Sequence, residues 1–239
     1  WDAFDNLEEE HDSKVDQIVR VIQYLKLLPV KTTIIDKVEA DDIIAVLSKR
    51  LVDKYNSTCF IVSSDKDFVQ LVTDKIILYR PMEKEYYTPQ TVKDKFGVPP
   101  QNFILYKTLL GDNSDNIPGV KGLGAKGIFK KFPELQNKIL TLNDIFDISA
   151  GKFKEHVVYS RVIQDQNKLE NSYKVMDLSA PMINQQQVDY LEDLMSEEIP
   201  DLNSEMFIQL YNEDKLGGMI RNLDNWIKEN FEHFIGYKN

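Results

Sequence analysis

The sequence predicts an α/β fold in which a parallel sheet with helices is followed by a mostly helical region. Two observations support this prediction. Up to residue 97, short β-branched and aromatic runs alternate with amphipathic helical segments, a pattern typical of a parallel sheet covered by helices. From residue 98 onward, apolar residues recur at helical spacing and no run indicates a convincing strand. We therefore expect two regions, 1–97 and 98–239.

Strand and helix patterns alternate along the first region. The predicted elements are a helix over 8–27, a strand over 30–36 ("VKTTIID"), a helix from Ala40 to about Tyr55, a strand over 58–64 ("TCFIVSS"), a short helix from Asp67 and a strand over 75–81 ("KIILYRP"). The short β-branched and aromatic run over 58–64 favours a buried parallel strand. "TPQTVKDKFG" then predicts a helix with Thr88 as N-cap and Pro89 at its first position.

The second region is predicted to be helical. It begins with a helix over 100–111 ("PQNFILYKTLLG"), and a glycine-rich turn leads into a helix from Ala125 to about Phe132. The run "MIRNLDNWIKENFEHFI" over 219–235 has helical spacing and closes the region.

The composition is typical of a globular protein of a reducing compartment. No stretch approaches the ~20 apolar residues of a membrane span, and the acidic residues near the start do not fit a signal peptide. Cys59 is the single cysteine, so no internal disulfide can form. We therefore expect a cytoplasmic protein without a membrane partner.

The net charge of −10, from 29 basic and 39 acidic residues, argues at first sight against a nucleic-acid partner. The local distribution of charge matters more than the sum, however. The segment 121–131 carries no acid and four lysines, namely Lys121, Lys126, Lys130 and Lys131. Such a basic segment is typical of a surface that contacts phosphates.

Two groups of carboxylates follow predicted strands. Glu39, Asp41 and Asp42 lie where a strand leads into a helix, and Asp65 and Asp67 follow the next strand. Helix capping alone would explain the first group, because acids in a first turn complement the helix dipole. Both groups, however, lie at the carboxyl ends of parallel strands, where such sheets bind ligands. The second pair would repel each other unless a cation lay between them.

A third pair, Asp112 and Asp115, lies in "GDNSDNIPG" at a spacing that can share one side of a helical turn. A calcium loop of the EF-hand type is excluded, because Ile117 replaces its glycine and Leu123 its final glutamate. The three groups hold seven carboxylates and no histidine or cysteine. Such an all-oxygen set suits Mg²⁺ or Mn²⁺, and two such ions stabilise the attacking and leaving oxygens in phosphodiester cleavage.

The segment "PGVKGLGAKGIFKKF" contains glycines in G-x-G-x-x-G order. A dinucleotide site is not supported, because no strand precedes the segment, and a phosphate loop is excluded because Ala125 follows Gly124. A tight turn between two helices explains the pattern better. Its N–H groups and helix start can bind a DNA phosphate, and the lysines add charge. An ordinary helical hairpin with solvated lysines remains the alternative.

In this order, "VEADD", "SSDKDF" and "GDNSDNIPGVKGLGAKG" resemble the 5′-nuclease superfamily of flap endonucleases and 5′-3′ exonucleases. "WDAF" and "VMDLSAP" extend the likeness to the ribonucleases H of T-even phages. The resemblance implies a partial Rossmann-like, PIN-type nuclease core and then a helix-three-turn-helix DNA-binding motif at about 103–132. It also implies an enzyme that cuts phosphodiester bonds at 5′ ends, flaps and RNA primers during phage replication, in the bacterial cytoplasm.

The resemblance also assigns roles to individual residues. The acids that match the catalytic residues of a first metal site are Glu39, Asp41, Asp65 and Asp67, and Asp42 joins them directly or through water. Those that match a second site are Asp112 and Asp115. The implied ions are two Mg²⁺ or Mn²⁺, and a potassium ion at the carbonyls of Val120 and Leu123. The implied DNA contacts are Gly122, Gly124, Lys121, Lys126, Lys130 and Lys131.

The family's N-terminal strand with its metal-binding aspartate, and its basic helical arch, have no counterpart in these 239 residues. We therefore expect this chain alone to bind branched DNA weakly and to cleave it poorly or not at all. The implied partners are double-stranded DNA with a 5′ flap, nick or RNA primer, and a single-strand-binding protein. The protein is expected to be a monomer that associates with a separate N-terminal fragment. Two other functions stay open: a non-catalytic, structure-specific DNA-binding module, and a structural domain stabilised by cations.

Overall fold

A computed structural model of the chain describes residues 7–234. Its α-helices are α1 Leu7–Leu25, α2 Ala40–Tyr55, α3 Pro89–Phe96, α4 Phe103–Leu110, α5 Ala125–Lys131, α6 Leu142–Gly151, α7 Val157–Gln164, α8 Gln166–Met176, α9 Gln185–Ser196, α10 Ser204–Glu213 and α11 Leu223–Phe231. Its strands are β1 Cys59–Val62, β2 Ile76–Arg80, β3 Glu85–Tyr87, β4 Gly111–Asp112 and β5 Ile117–Pro118. Short 3₁₀ segments include Asp67–Leu71, where a short helix was predicted.

The described residues divide into two compact units. The larger unit covers Asp36–Asp189, and the smaller combines the described residues up to Ile35 with those from Tyr190 onward. Each unit has a buried apolar core of its own. The division predicted near residue 98 falls inside the larger unit and stays a prediction.

A three-stranded sheet in the order β1-β2-β3 supports the larger unit. β1 and β2 are parallel, with Cys59 opposite Ile76, whereas β2 and β3 are antiparallel, with Leu78 opposite Tyr87. Residues 81–84 alone connect β2 to β3, and so short a connection permits only an antiparallel return. The sheet is therefore mixed, although the predicted α/β class is confirmed.

The predicted strand over 30–36 is wrong. This segment pairs with no strand among residues 7–234, and Ile34 is 79% exposed. The ammonium of Lys31 instead donates to the carbonyls of Leu194 (2.8 Å) and Met195 (3.2 Å) at the end of α9. The β-branched run predicts extended backbone, but a strand also needs a hydrogen-bonding neighbour, which local sequence does not reveal.

Helices predominate after α3, as predicted. Thr88 caps α3 by accepting a hydrogen bond from the Thr91 N–H, with Pro89 at the first position, and α4 ends at Leu110 as expected. The prediction that no strand follows residue 98 is wrong, because β4 and β5 form a short antiparallel hairpin between α4 and α5. This hairpin carries part of the candidate site.

A partly exposed ion pair connects two helices of the smaller unit. The Arg20 guanidinium donates to both carboxylate oxygens of Asp214 at 2.6–2.9 Å, and the Tyr24 hydroxyl donates to the same carboxylate at 2.7 Å. The Tyr24 ring meets Phe207 edge-on at 5.2 Å between centroids. These contacts join α1 to α10 beside the core formed by Leu28 and its neighbours.

We expect Asp214→Asn to destabilise the smaller unit at neutral pH but not in acid. Hydrogen bonds from Arg20, and next from Tyr24, lower the pKa of Asp214 below 3.8. A carboxyl group with a lowered folded-state pKa contributes stability above its unfolded-state pKa, and that stability is lost as pH falls through the folded value. Melting temperatures of wild type and variant should differ at neutral pH and converge as the pH falls through the lowered folded-state pKa of Asp214. A difference independent of pH would contradict this assignment.

The chain ends bear on two expectations from the sequence. Trp1 and Asp2 of "WDAF" lie outside the described residues, as does Ile235 at the end of the predicted C-terminal helix. Within 219–234, the α-helix is α11, Leu223–Phe231, which continues as a 3₁₀ turn over Glu232–Phe234, whereas residues 219–222 are not helical. Within residues 7–234, no helix combines the length and apolar character needed to cross a membrane.

Candidate metal centre

A cavity of about 920 Å³ in the larger unit brings the three predicted carboxylate groups together. Its walls come from the start of α2, the loop after β1, the end of α4 with the following hairpin, and the segment after α8. All seven predicted metal ligands line it: Glu39, Asp41, Asp42, Asp65, Asp67, Asp112 and Asp115. Residues far apart in sequence therefore share one site beyond the carboxyl end of β1.

The first group lies at the start of α2. Glu39 occupies the N-cap position, yet its side chain makes no capping hydrogen bond. Asp42 is buried, and its carboxylate accepts the backbone N–H of Met182 at 3.1 Å. Burial, followed by the charges of Asp65 and Asp67, raises the pKa of Asp41. Capping by the Glu39 side chain therefore does not account for this group, and a cation would relieve the repulsion among the neighbouring carboxylates.

The second group lies in the loop after β1. The Asp65 backbone N–H donates to the Ser63 hydroxyl at 3.1 Å, and the Asp67 N–H donates to the Asp65 carboxylate at 2.8 Å. These bonds form a tight local turn, typical of aspartate and serine. Asp67 then begins the 3₁₀ segment with its carboxylate in the cavity.

A buried lysine on α4 lies between two of the acids. The Lys107 ammonium contacts the Asp67 carboxylate and lies 2.6 Å from Oδ2 of Asp112. Burial lowers the pKa of Lys107, but its hydrogen bonds to Asp112 and Asp67 outweigh burial and raise the pKa overall. Lys107 therefore remains a cation inside the acidic cavity.

Charge in the cavity is unbalanced despite this lysine. Carboxylate oxygens of Asp67, Asp112 and Asp115 lie within 4.8 Å of one another. Burial raises the pKa of Asp67 despite the opposing effect of Lys107. For Asp112, burial acts in the same direction, but hydrogen bonds from Lys107 and Ser114 prevail and lower the pKa to about 2. Eight acids and three lysines line the cavity, so additional positive charge would relieve repulsion.

Asp112 and Asp115 lie on the β4–β5 hairpin rather than on a helical turn, and their carboxylates still lie within 4.8 Å of each other. Gly111 ends α4 with φ +87°, outside the helical region. The Asp112 carboxylate accepts the Ser114 N–H at 2.9 Å and its hydroxyl, a turn that competes with helix. The backbones at Gly111 and Gly119 also approach closely, since a Cβ on Gly119 would lie 2.2 Å from the Leu110 carbonyl oxygen.

The glycine turn connects this hairpin to α5, as expected. Gly122 adopts φ +81°, and the Lys121 carbonyl accepts the Arg161 guanidinium at 2.7 Å. Lys121, Lys126 and Lys130 are exposed, whereas the Lys131 ammonium lies 5.8 Å from the centre of the Tyr159 ring. The potassium site at the carbonyls of Val120 and Leu123 and the DNA contacts of Gly122, Gly124 and the lysines remain predictions.

Residues 7–97 match the sequence model of a family described as "5′-3′ exonuclease, N-terminal resolvase-like domain". These residues are therefore similar to the N-terminal domain of 5′-3′ exonucleases. The match contains the first two carboxylate groups of the cavity, at 39–42 and 65–67. The similarity of this chain to 5′-3′ exonucleases also continues past the matched residues.

Curated 5′-3′ exonucleases of two bacteria illustrate that similarity. The chain is 38% identical over 141 residues to the protein of Buchnera aphidicola subsp. Schizaphis graminum, covering 58% of this chain and 48% of that protein. It is 33% identical over 190 residues to the protein of Aquifex aeolicus, covering 78% of this chain and 60% of that protein. The chain therefore spans about half the length of these relatives.

Solved structures of the T5 enzyme share the fold. The T5 5′-exonuclease with bound divalent metal ions (zinc) aligns with a TM-score of 0.65 and 24% identity, covering 82% of this chain and 73% of that one. The T5 flap endonuclease in a pseudo-enzyme-product complex with DNA and metal ions aligns with a TM-score of 0.63 and 22% identity, covering 80% and 69%. Both confirm an α/β sheet followed by a largely helical region.

Besides the eighth acid, Asp177, the sequence also did not predict Lys107 as a residue of the cavity. It lies in the apolar run "FILYKTLL" of α4. The one available signal is a lone charge within a predicted helix five residues before Asp112, and such lysines usually extend into solvent. Only the folded position of Asp67 shows that Lys107 lies between two acids.

Proposed function

We propose that this chain provides the metal-dependent active site of a 5′-3′ exonuclease and flap endonuclease that hydrolyses phosphodiester bonds. The observation that carries the proposal is the convergence of seven carboxylates on one cavity. The match of residues 7–97 to the 5′-3′ exonuclease family model supports it, as does the shared fold with T5 structures that hold metal ions and DNA. We further propose 5′ flaps, nicks and RNA primers as substrates, in phage DNA replication.

The cavity fits two divalent cations of the Mg²⁺ or Mn²⁺ type. All seven acids offer oxygen ligands, which these ions prefer. The Lys107 ammonium between Asp67 and Asp112 indicates that a positive charge is accommodated among them. When bound, such ions offset charge on the phosphate and lower the pKa of a water molecule. We propose Glu39, Asp41, Asp65 and Asp67 for the first site, with Asp42 alongside, and Asp112 and Asp115 for the second.

The remaining residues would hold the acids and the DNA. Lys107 keeps Asp67 and Asp112 together against their mutual repulsion. Asp42 ties the start of α2 to the backbone at Met182. The exposed lysines of the glycine turn would contact phosphates, which positions a duplex without reading its sequence. A potassium ion at the carbonyls of Val120 and Leu123 would strengthen that contact.

The direct test is cleavage of a 5′-labelled flap duplex by the purified chain in excess over DNA. We expect slow cleavage near the flap junction that requires Mg²⁺ and stops in EDTA. Asp112→Asn/Asp115→Asn should abolish turnover while DNA binding is retained, because the substitutions leave the lysines intact. An RNA-primed duplex in parallel tests the proposed primer-removing role. Flap binding without cleavage, in Mg²⁺ and in Mn²⁺, would favour a non-catalytic DNA-binding module instead.

We expect Lys126→Ala/Lys130→Ala to weaken DNA binding at low salt and to flatten its salt dependence. Both side chains are exposed on α5, and each phosphate contact contributes about 0.9 to the slope of log affinity against log salt. Titrations over a salt series should show a slope smaller by about two. Lys49→Ala/Lys84→Ala, which removes two other exposed lysines, should leave the slope unchanged. Equal losses in both variants would contradict a role for the glycine turn.

A further inference from the structure

Arg80 is a buried cation at the carboxyl end of β2. It is only 6% exposed, and its Nη2 donates to the carbonyl of Ser64 at 2.8 Å. The same Nη2 lies 3.1 Å from Oε1 of Glu83, and the guanidinium carbon lies 5.5 Å from the centre of the Tyr87 ring. Arg80 therefore links β2 to the loop after β1.

Stability alone does not explain this arrangement. Nε and Nη1 of Arg80 are buried and have no hydrogen-bond partner among the described residues. Buried N–H groups without acceptors are rare in folded proteins because their desolvation is uncompensated. A buried ion pair is also weak evidence for stability, since an apolar side chain of similar size often serves as well. The guanidinium therefore calls for another explanation.

The acceptor of the Arg80 hydrogen bond supplies that explanation. Ser64 directly precedes Asp65, at the point where the chain leaves the sheet and enters the cavity. The ladder ends one residue earlier, where the Ser63 N–H donates to the Tyr79 carbonyl at 3.1 Å. Beyond it, the Asp67 N–H bonds only within the loop, to Asp65. Through this bond to Ser64, Arg80 extends the hydrogen bonding between β2 and the β1 chain by one residue beyond Ser63.

We infer that Arg80 is a positioning residue of the metal centre, whose hydrogen bond to the Ser64 carbonyl fixes the backbone from which Asp65 and Asp67 enter the cavity. The inference rests on the proposed function. Residues behind the ligands of a metal set ligand orientation and so change affinity without touching the ion.

Two neighbours set the direction of the guanidinium. The Glu83 carboxylate pairs with Arg80 and also accepts the Tyr87 hydroxyl at 2.7 Å, while the Tyr87 ring lies beside the guanidinium. The planar guanidinium can meet the Ser64 carbonyl and Glu83 together, whereas a lysine ammonium lacks that fixed geometry. Arg80→Lys should therefore restore part of what Arg80→Met removes.

Mn²⁺ binding tests this role separately from catalysis. Titration of the full chain with Mn²⁺, followed by the electron paramagnetic resonance signal of the free ion, should show about tenfold weaker binding for Arg80→Met, with intermediate affinity for Arg80→Lys. Lys84→Met removes an exposed positive charge outside the cavity and leaves the Ser64 bond, and should keep nearly wild-type affinity. Equal affinity of wild type and Arg80→Met, or an equal loss in Lys84→Met, would overturn the inference.

Hydrogen exchange separates this inference from the proposed function. The proposed metal centre would be contradicted if the wild-type chain bound no Mn²⁺, or if it bound Mn²⁺ no more tightly than Asp67→Asn does. Amide exchange measured in EDTA still tests, without any metal, whether Arg80 holds the backbone of the loop after β1. Faster exchange in Arg80→Met confined to residues 63–67 supports the inference, and unchanged exchange there overturns it.

Discussion

Asp67→Asn is expected to reduce Mg²⁺-dependent cleavage of a 5′-flap duplex by about a thousandfold or more. The Asp67 carboxylate contacts Lys107 and offers an oxygen within 4.8 Å of those of Asp112 and Asp115. An amide keeps the shape but not the charge that would hold a divalent ion. A bound ion is worth several kcal/mol of transition-state stabilisation, and each ~1.4 kcal/mol corresponds to a tenfold change in rate.

Single-turnover rates measure this loss, and Asp74→Asn is the matched control because Asp74 is exposed and lies outside the cavity. The melting temperature in EDTA should change little, because burial already disfavours the charged form of Asp67, as its raised pKa shows. Residual cleavage within tenfold of wild type would remove Asp67 from the proposed first site. A large loss in the control would instead indicate a general effect of lost charge.

The position of the candidate site could be predicted because it depends on a local pattern, acids directly after a strand. Acids that follow parallel strands emerge at one edge of the sheet, and Asp65 and Asp67 do follow β1 in the structure. The start of α2 was also predicted correctly, at Ala40. Both rest on local patterns of a few residues.

The features that were missed depend on contacts between distant residues. The Lys107 ammonium contacts the carboxylate of Asp67, which lies 40 positions earlier in the sequence. No residue near Lys107 in the sequence indicates this contact. The segment 30–36 has the residue types of a strand but no ladder neighbour within residues 7–234. In both cases local sequence lacks the information, because contacts with distant residues decide what the segment does.

The hairpin that carries Asp112 and Asp115 shows a third limit. Spacing of the two acids allowed a helical turn, but the two glycines that flank them made the hairpin possible. Gly111 adopts a positive φ, and Gly119 leaves room for the Leu110 carbonyl. Such a close approach of two backbones is open only to residues without a Cβ. The need for glycine arises from the contact between Gly111 and Gly119, which lie eight positions apart. Neither glycine, taken alone in the sequence, indicates that contact.

Gly119→Ala is therefore expected to damage both stability and the site. The added Cβ would lie 2.2 Å from the carbonyl carbon and oxygen of Leu110 and 2.5 Å from the Gly111 nitrogen. All of these are backbone atoms, so the hairpin itself must move. Overpacking of this kind costs about 1–3 kcal/mol, and a displacement of about 1 Å at a catalytic group can reduce the rate about a hundredfold.

Thermal unfolding and single-turnover cleavage measure the two effects together. Gly151→Ala is the matched control, because a Cβ there meets nothing within 4 Å and the residue ends α6, where alanine favours helix. The control should be as stable as wild type or slightly more, with unchanged cleavage. Destabilisation of Gly119→Ala with full cleavage would show that the acids of the hairpin tolerate displacement. That result would argue against Asp112 and Asp115 as metal ligands, because a metal centre requires fixed positions for the groups that hold it.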